Sequence, residues 1–366
     1  MANDRHNGPS EREDEVLRID GSKHSGSGTV LRYVAALATL TRQAVNIVNI
    51  RARRDKPGLR PQHLTALRAC CTLCSGRLEG DRVGSQEIRY WPGKCVKGGD
   101  FSWDIGTAGS ATMLAFTLIA PALHAKTVCR FNITGGLFQD FAPSAFHMQH
   151  VLLPLLRRMG AHVRLAMGRP GYVPKGEGCL QMTVIPRRSA LQALTLLEQG
   201  NLLQIRGIAL ASHLQKERVS ERMAEHCREI LTKAGYQGQV EVRHDHSAIQ
   251  RGAALCLWAE TDQGCILGSD QAGKRGRRSE AIAEVVCSNL LQDLHSGATT
   301  DRHLADQLIL FAALAKGTTR YMIPMTTEHV KSNLWLVGKI LGARSQLADN
   351  RLSLEGTGLG LFESSS

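Results

Sequence analysis

Ile50-Arg-Ala-Arg-Arg-Asp-Lys-Pro-Gly-Leu-Arg-Pro-Gln-His63 separates two differently patterned stretches, and its reading sets the architecture around it. Before it, Val45–Ile50 alternates well enough to be a buried strand. After it, the run to Cys74 places Leu64, Leu67, Cys71 and Cys74 on one helical face. Pro57-Gly58 and Pro61 stop either element from running through, so the quoted stretch is a strand-to-helix loop. From Arg51 to Arg60 it carries five cations and one anion. Free N–H groups at a helix N-terminus and forked Arg side chains suit an anion with several oxygens. The plainer reading is a solvated charge run beside a turn.

Working outward, the same order of elements recurs. Upstream lie a short strand at Val16–Asp20, the loop Gly21–Gly28 and an apolar helix from Thr29 to Thr41. The loop lacks the Gly-Lys-Ser/Thr ending of a P-loop and the glycine spacing of a dinucleotide fingerprint. Downstream come strands near 77–81 and 86–91. A second copy follows: strand Asp100–Asp104, helix Ala108–Leu123, strand Thr127–Ile133, helix 146–159 closed by Gly160, and strands near 161–167 and 180–185. A third comprises helix 302–315, strand 319–323, helix 327–341 and short strands near 344–348 and 351–355. Between the second and third copies, a strand from Leu202, a helix from Lys216, strands near 238–243 and 253–260, and a helix from Ser279 have their own pattern. The expected fold is α/β (α+β): three repeated βαβαββ units with a smaller inserted α/β domain. The expected divisions are a disordered tail at 1–14, a main body of 15–186 and 298–360, an insertion at 187–297, and a tail at 361–366.

The 366 residues are 43% hydrophobic, enough for two cores. Net charge is +12, of which the quoted loop supplies four, so a polyanionic partner is expected. Most of the ten Cys fall in apolar patterns, as reduced buried thiols do in an intracellular protein. Cys71-x-x-Cys74 has no second CxxC to complete a metal site, and helical spacing explains it as core. The N-terminus has no signal-peptide pattern, and no apolar run is long enough to span a bilayer, so no membrane partner is expected.

Four loops open elements at equivalent places: Gly21–Gly28, Arg51–His63, Gly106–Ser110 and Pro324–His329. In a three-fold pseudo-repeat such loops can face one cleft. A cleft of helix N-termini and Arg suits a substrate with several phosphates. On spacing alone, however, His329 is an exposed first-turn histidine and Asp306 a solvated acid.

The spelling of these loops resembles the RNA 3'-terminal phosphate cyclases, from about Leu17 to Gly360. The matching pieces include Ile19-Asp20-Gly21 with Leu31-Arg32, the basic loop through Gln62-His63-Leu64, Gly84-Ser85, Thr107-Ala108-Gly109-Ser110, Gly135-Gly136, Ala142-Pro143, Lys175-Gly176, Gly273-Lys274-Arg275-Gly276 and Asp306-Gln307-Leu308. The resemblance implies an ATP-dependent enzyme that turns an RNA 3'-phosphate end into a 2',3'-cyclic phosphodiester. It implies His329 as the nucleophile that becomes adenylylated. Asp306, Gln307, His303, Thr107 and Ser110 are implied at the nucleotide, and Arg32, Arg51, Arg54, Gln62 and His63 at the RNA end. A divalent metal, Mg or Mn, is implied with ATP, without protein ligands assigned to it. The family pattern differs at Ser25 and Thr29, where Glu and Gln are usual, at Phe146, where an acid is usual, and at His303, where Tyr is usual. The resemblance points to the nucleus, with the cytoplasm also open, and sets no oligomeric state. Two other readings stand beside it: a non-catalytic cyclase-like RNA-binding protein of ribosome assembly, which would lack the nucleophile, and an enolpyruvyl transferase, which leaves the Arg51–His63 spelling unexplained.

Overall fold

The computed structural model describes residues 16–360, so both expected tails lie outside the described residues. The first unit runs β1 (Leu17–Asp20), α1 (Gly28–Thr41), β2 (Val45–Val48), α2 (Pro61–Cys74), β3 (Arg77–Glu79), β4 (Ile88–Trp91). The second runs β5 (Gly99–Asp104), α3 (Ala111–Ala122), β6 (Cys129–Gly135), α4 (Ala145–His147), a π turn (Met148–Leu152), α5 (Leu153–Arg158), β7 (His162–Arg169), β8 (Gly178–Ile185). The third begins at β9 (Thr195–Leu196). It is then interrupted by β10 (Leu202–Ser212), α6 (Val219–Lys233), β11 (Gly238–Asp245), β12 (Gly252–Thr261), β13 (Ile266–Ala272) and α7 (Ser279–His295). It resumes with α8 (Leu304–Leu314), β14 (Lys316–Met322), α9 (Glu328–Leu341), β15 (Arg344–Ala348) and β16 (Arg351–Thr357).

The repeat is topological. Sheet orders are β1-β2-β4-β3, β5-β6-β8-β7 and β9-β14-β16-β15, the same path three times. In each, the first two strands are parallel and the other pairs antiparallel. A helix crossing between the first two strands makes them parallel, and short connections reverse the rest. α1 packs on α2, α3 and α9, and α8 packs on α9, so helices of the three units meet in one core. α8 and α1 are apolar nearly all round, as helices enclosed by other elements are.

One boundary needs correction. Residues 191–196 go with the third sheet, while Glu198, Gln199 and Asn201 already bond to the insertion. Thr195–Leu196 pairs in parallel with β14, and Lys316 and Arg320 donate backbone N–H groups to Leu191 and Leu194. A two-residue strand has no period to read, so the third unit was expected to start only at its first helix. The insertion therefore lies inside the third unit, between its first strand and its first helix. Its own sheet runs β11-β10-β12-β13, and β13, the polar ILGSDQA segment, was not foreseen. In α2 the buried thiols are Cys70 and Cys74, while Cys71, expected on the inner face, is half-buried.

Candidate active site

The basic loop is anchored before it is functional. Gly58 N–H donates to Ile50 O at 2.8 Å, Leu59 N–H to Ser85 O at 2.9 Å, and Gly84 N–H to Leu59 O at 2.8 Å. Gly58 has φ +76 and lies so close to Gly84 that a Cβ would strike its backbone. The Gly84-Ser85 pair therefore supports the loop. Arg51, itself in the left-handed region at φ 54, donates to Lys56 O at 3.2 Å, and Arg54 reaches across to Ser25 O at 3.1 Å. Crowded by burial and by Arg54 and Arg60, the Arg51 guanidinium loses protons more easily than usual.

The Gly21–Gly28 loop is fastened to α9. Ser25 N–H donates to Ser332 Oγ at 3.1 Å, and the two serine hydroxyls lie 2.8 Å apart. The His24 ring rests 5.4 Å from that of Trp335. Thus Ser25 is used in tying two units together. Ser27 caps α1 and Thr327 caps α9, so two helix N-termini, each with free N–H groups, flank the same space.

His329 stands in the first turn of α9, half-buried. Its Nδ1 is 3.1 Å from Thr29 Oγ1 on α1. With Nδ1–H donating to that hydroxyl, Nε2 keeps its lone pair free. Burial, then the charges of Arg32, Arg54 and His303, hold its pKa below the usual histidine value, so the ring is neutral at pH 7. Arg32, on α1, has a guanidinium pushed down to about 10 by burial, partly restored by Asp306. Its Nε is buried with no hydrogen-bond partner among the described residues. A half-buried Arg with an unpartnered Nε, beside a neutral histidine and two helix N-termini, is a place for an anion.

Asp306, in the first turn of α8, is half-buried. Its carboxyl is raised to about 7 by burial and by the charge of Asp301, against the pull of Arg32. Its backbone carbonyl accepts from Tyr33 Oη at 2.8 Å and Asn333 Nδ2 at 3.0 Å, so α1 and α9 both grip α8 here. His63 is buried at the start of α2, its Nδ1 accepting from Arg60 N–H at 3.3 Å. Burial and three Arg neighbours hold it neutral.

The other expected residues are placed differently. Gln62 Oε1 accepts Ser110 N–H at 2.8 Å, joining the first and second units. Ser110 Oγ caps α3 through Met113 N–H at 3.0 Å, and Thr107 Oγ1 accepts Gly109 N–H at 3.2 Å in an exposed turn. Gln307 is buried toward Met113, Pro143 and Met148. His303 is exposed and meets the His147 ring edge-on at 6.1 Å. The structure thus gathers His329, Arg32, Arg54 and Asp306, while Gln62, Ser110 and Thr107 form the seam toward the second unit.

Sequence reading missed Thr29 as the partner of His329, seeing it only as a departure. It also missed the buried pair of His147 Nε2 and Asp301 Oδ2 at 3.1 Å. Asp301 also accepts N–H groups from Gly268, His303 and Leu304, so it joins insertion, second unit and third unit. The visible signal was an acid three residues before the first apolar position of α8.

The model of the family "RNA 3'-terminal phosphate cyclase" matches residues 23–347. The chain belongs to that family. Proteins named RNA 3'-terminal phosphate cyclase are similar to it along nearly their whole length. That of Methylococcus capsulatus is 38% identical, covering 94% of this chain and 95% of its own. That of Pyrobaculum neutrophilum is 36% identical over 94% and 99%, and that of Archaeoglobus fulgidus 35% over 93% and 100%. Among solved structures, the enolpyruvyl transferase NikO from Streptomyces tendae is similar at 12% identity and a TM-score of 0.42, covering 95% of this chain and 49% of its own; so slight a likeness carries no argument. These cyclase relatives are bacterial and archaeal, so the expectation of a nucleus finds no support in them. Among the described residues, no helix is long and apolar enough to cross a membrane.

Proposed function

We propose that this cyclase-family chain is an active, ATP-dependent enzyme that converts an RNA 3'-terminal phosphate to a 2',3'-cyclic phosphodiester through a histidine-bound AMP. The observation that carries the reading is His329. It is neutral, held through Nδ1 by Thr29, and has Nε2 free beside Arg32 and Arg54. His329 Nε2 attacks the α-phosphorus of ATP, and pyrophosphate leaves as the N–P bond forms. The RNA 3'-phosphate then takes the AMP from the ring. The neighbouring 2'-OH attacks the activated phosphate, and AMP departs. Arg32, Arg54 and the α1 and α9 N-termini offset the charge that develops on phosphate oxygens. Arg51 and Arg54 are the groups we assign to the RNA end.

The donor set does not build a protein cage for a metal. Among the described residues no group of three His, Cys, Asp or Glu is placed to hold one, and the Ser25 hydroxyl is engaged by Ser332. A divalent ion at this site would rest on substrate phosphates and water, as magnesium commonly does. The presence of a nucleophile disfavours the non-catalytic alternative. Incubation with α-labelled ATP tests the proposal: acid-labile AMP should appear on the protein and vanish in His329→Ala, which still binds RNA. Label retained by that variant would move the nucleophile elsewhere.

A further inference from the structure

Phe141 is 100% exposed, the most exposed of the large apolar side chains among the described residues. It sits at the tip of a tight turn closed by a bridge between Gln139 and Ala142. The turn is clamped. Asp140 accepts from Arg277 Nη1 at 2.6 Å, Arg277 Nη2 at 3.0 Å and Gln271 Nε2 at 2.7 Å. A bidentate Arg pair with a third donor fixes the residue beside Phe141, so the ring is held outward by built structure.

The clamp brings this turn against Gly273-Lys-Arg-Gly-Arg-Arg278, a run with four cations that the reaction leaves unused. Gly273 N–H donates to Ala253 O at 2.7 Å, which sets the turn beside Arg251 and Gly252. Lys175 N–H donates to Gln250 Oε1 at 3.2 Å, and Gln250 Nε2 donates to Val173 O at 2.8 Å. Gly176 packs on the backbone of Thr107 and Ala108, and Gly109 packs on Gln62. A chain of packing and hydrogen-bond contacts therefore links Gln62, by way of Lys175, to the region of Lys274, Arg275 and Phe141. Arg277 is engaged by Asp140, Arg251 by Glu217 and Arg278 by Glu280. Lys175, Lys274 and Arg275 are left exposed, in no salt bridge among the described residues.

Exposed cations outside any salt bridge, beside a projecting aromatic ring, suit single-stranded nucleic acid: the cations follow the phosphates and a base stacks on the ring. We propose that this strip binds the RNA upstream of its 3' end, with Phe141 as a stacking platform and Lys175, Lys274 and Arg275 on the backbone. The proposal rests on the reading that the 3' end lies at Arg51 and Arg54. It adds a length requirement to that reading: a strand of several nucleotides binds better than the end alone.

The test is fluorescence anisotropy without ATP, using a trinucleotide and a dodecamer, each ending in 3'-phosphate or in 3'-hydroxyl. The parent protein should bind the dodecamer more tightly than the trinucleotide, whichever the end. Phe141→Ala should weaken the dodecamer roughly tenfold and leave the trinucleotide within about twofold. Lys274→Ala with Arg275→Ala should flatten the log–log salt slope of the dodecamer by about 1.4. These variants should take AMP from labelled ATP at the parent rate. Equal binding of both lengths by the parent, or equal loss on both in Phe141→Ala, overturns the strip. So does an unchanged dodecamer affinity with a dimer lost on sedimentation, which would assign Phe141 to a second copy of the chain. Failure of the cyclase reading looks different: no AMP label and no preference for 3'-phosphate, with the dependence on length intact.

Discussion

Replacing Asp306 by Asn separates the cost of this site from its use. The carboxyl ionises near 3.8 in an unfolded chain and near about 7 here. Between those values the folded protein holds a proton that the unfolded chain has released. Stability therefore falls as pH rises from about 4 to about 7, then levels off. The whole gap is worth about 4 kcal/mol at about 1.4 kcal/mol per tenfold. Asp306 is half-buried, so solvent screens part of it, and a working figure is on the order of 2 kcal/mol. The pull of Arg32 already acts within the net shift. Asp306→Asn should thus be more stable than the parent by that amount at pH 8, with the gain shrinking toward zero as pH approaches 4. Urea denaturation of both proteins at several pH values measures it. A gain independent of pH, or a loss at pH 8, would refute the account of the raised carboxyl. The same variant should use ATP less well.

Thr29→Val removes the hydroxyl that orients His329, and one neutral hydrogen bond is worth about 0.5–1.5 kcal/mol, so single-turnover AMP transfer should slow roughly two- to tenfold. Thr29→Ser should restore most of the rate. Arg54→Ala should cost about 2–5 kcal/mol in binding 3'-phosphate RNA against about 0–1 for 3'-hydroxyl RNA, read by competition binding. Gly28→Ala would place a Cβ 2.1 Å from His63 Nε2 in a buried setting. Its melting should report a loss of about 1–3 kcal/mol.

The repeated order of strands and helices was legible because each unit carries long apolar helices between short strands. What escaped notice had too little sequence to show a period. Thr195–Leu196 is two residues long, and β13 gains its strand form from pairing along β12 rather than from its own polar composition. Within the site, spacing alone marked neither Arg32 nor His329; the resemblance did, and the structure sets His329 Nδ1 against Thr29 and buries the Arg32 Nε without a partner among the described residues. Gln62 and Ser110, expected at the RNA end and the nucleotide, meet across a seam between units, where the Gln62 amide oxygen accepts the Ser110 N–H. Spacing along the chain cannot separate a ligand-binding amide from one that closes a backbone hydrogen bond 48 residues away.

The neck of the insertion has a consequence for how the chain folds. Thr299 Oγ1 donates to Leu196 O at 2.7 Å, and Gln199 Nε2 donates to Leu294 O at 3.1 Å, so the chain leaves and returns at one point. Were the intervening roughly one hundred residues still a coil, closing them would cost about 4 kcal/mol before β14 could find β9. Once the β10–α7 module has collapsed, its ends are already together and that cost is gone. The module therefore acts as a built-in clamp for the third repeat, whose closing brings α8 and α9, and with them Asp306 and His329, into register. Pulse-labelled hydrogen exchange should see α6 and α7 protected before β14. The opposite order would mean that the third sheet assembles without waiting for its own guest.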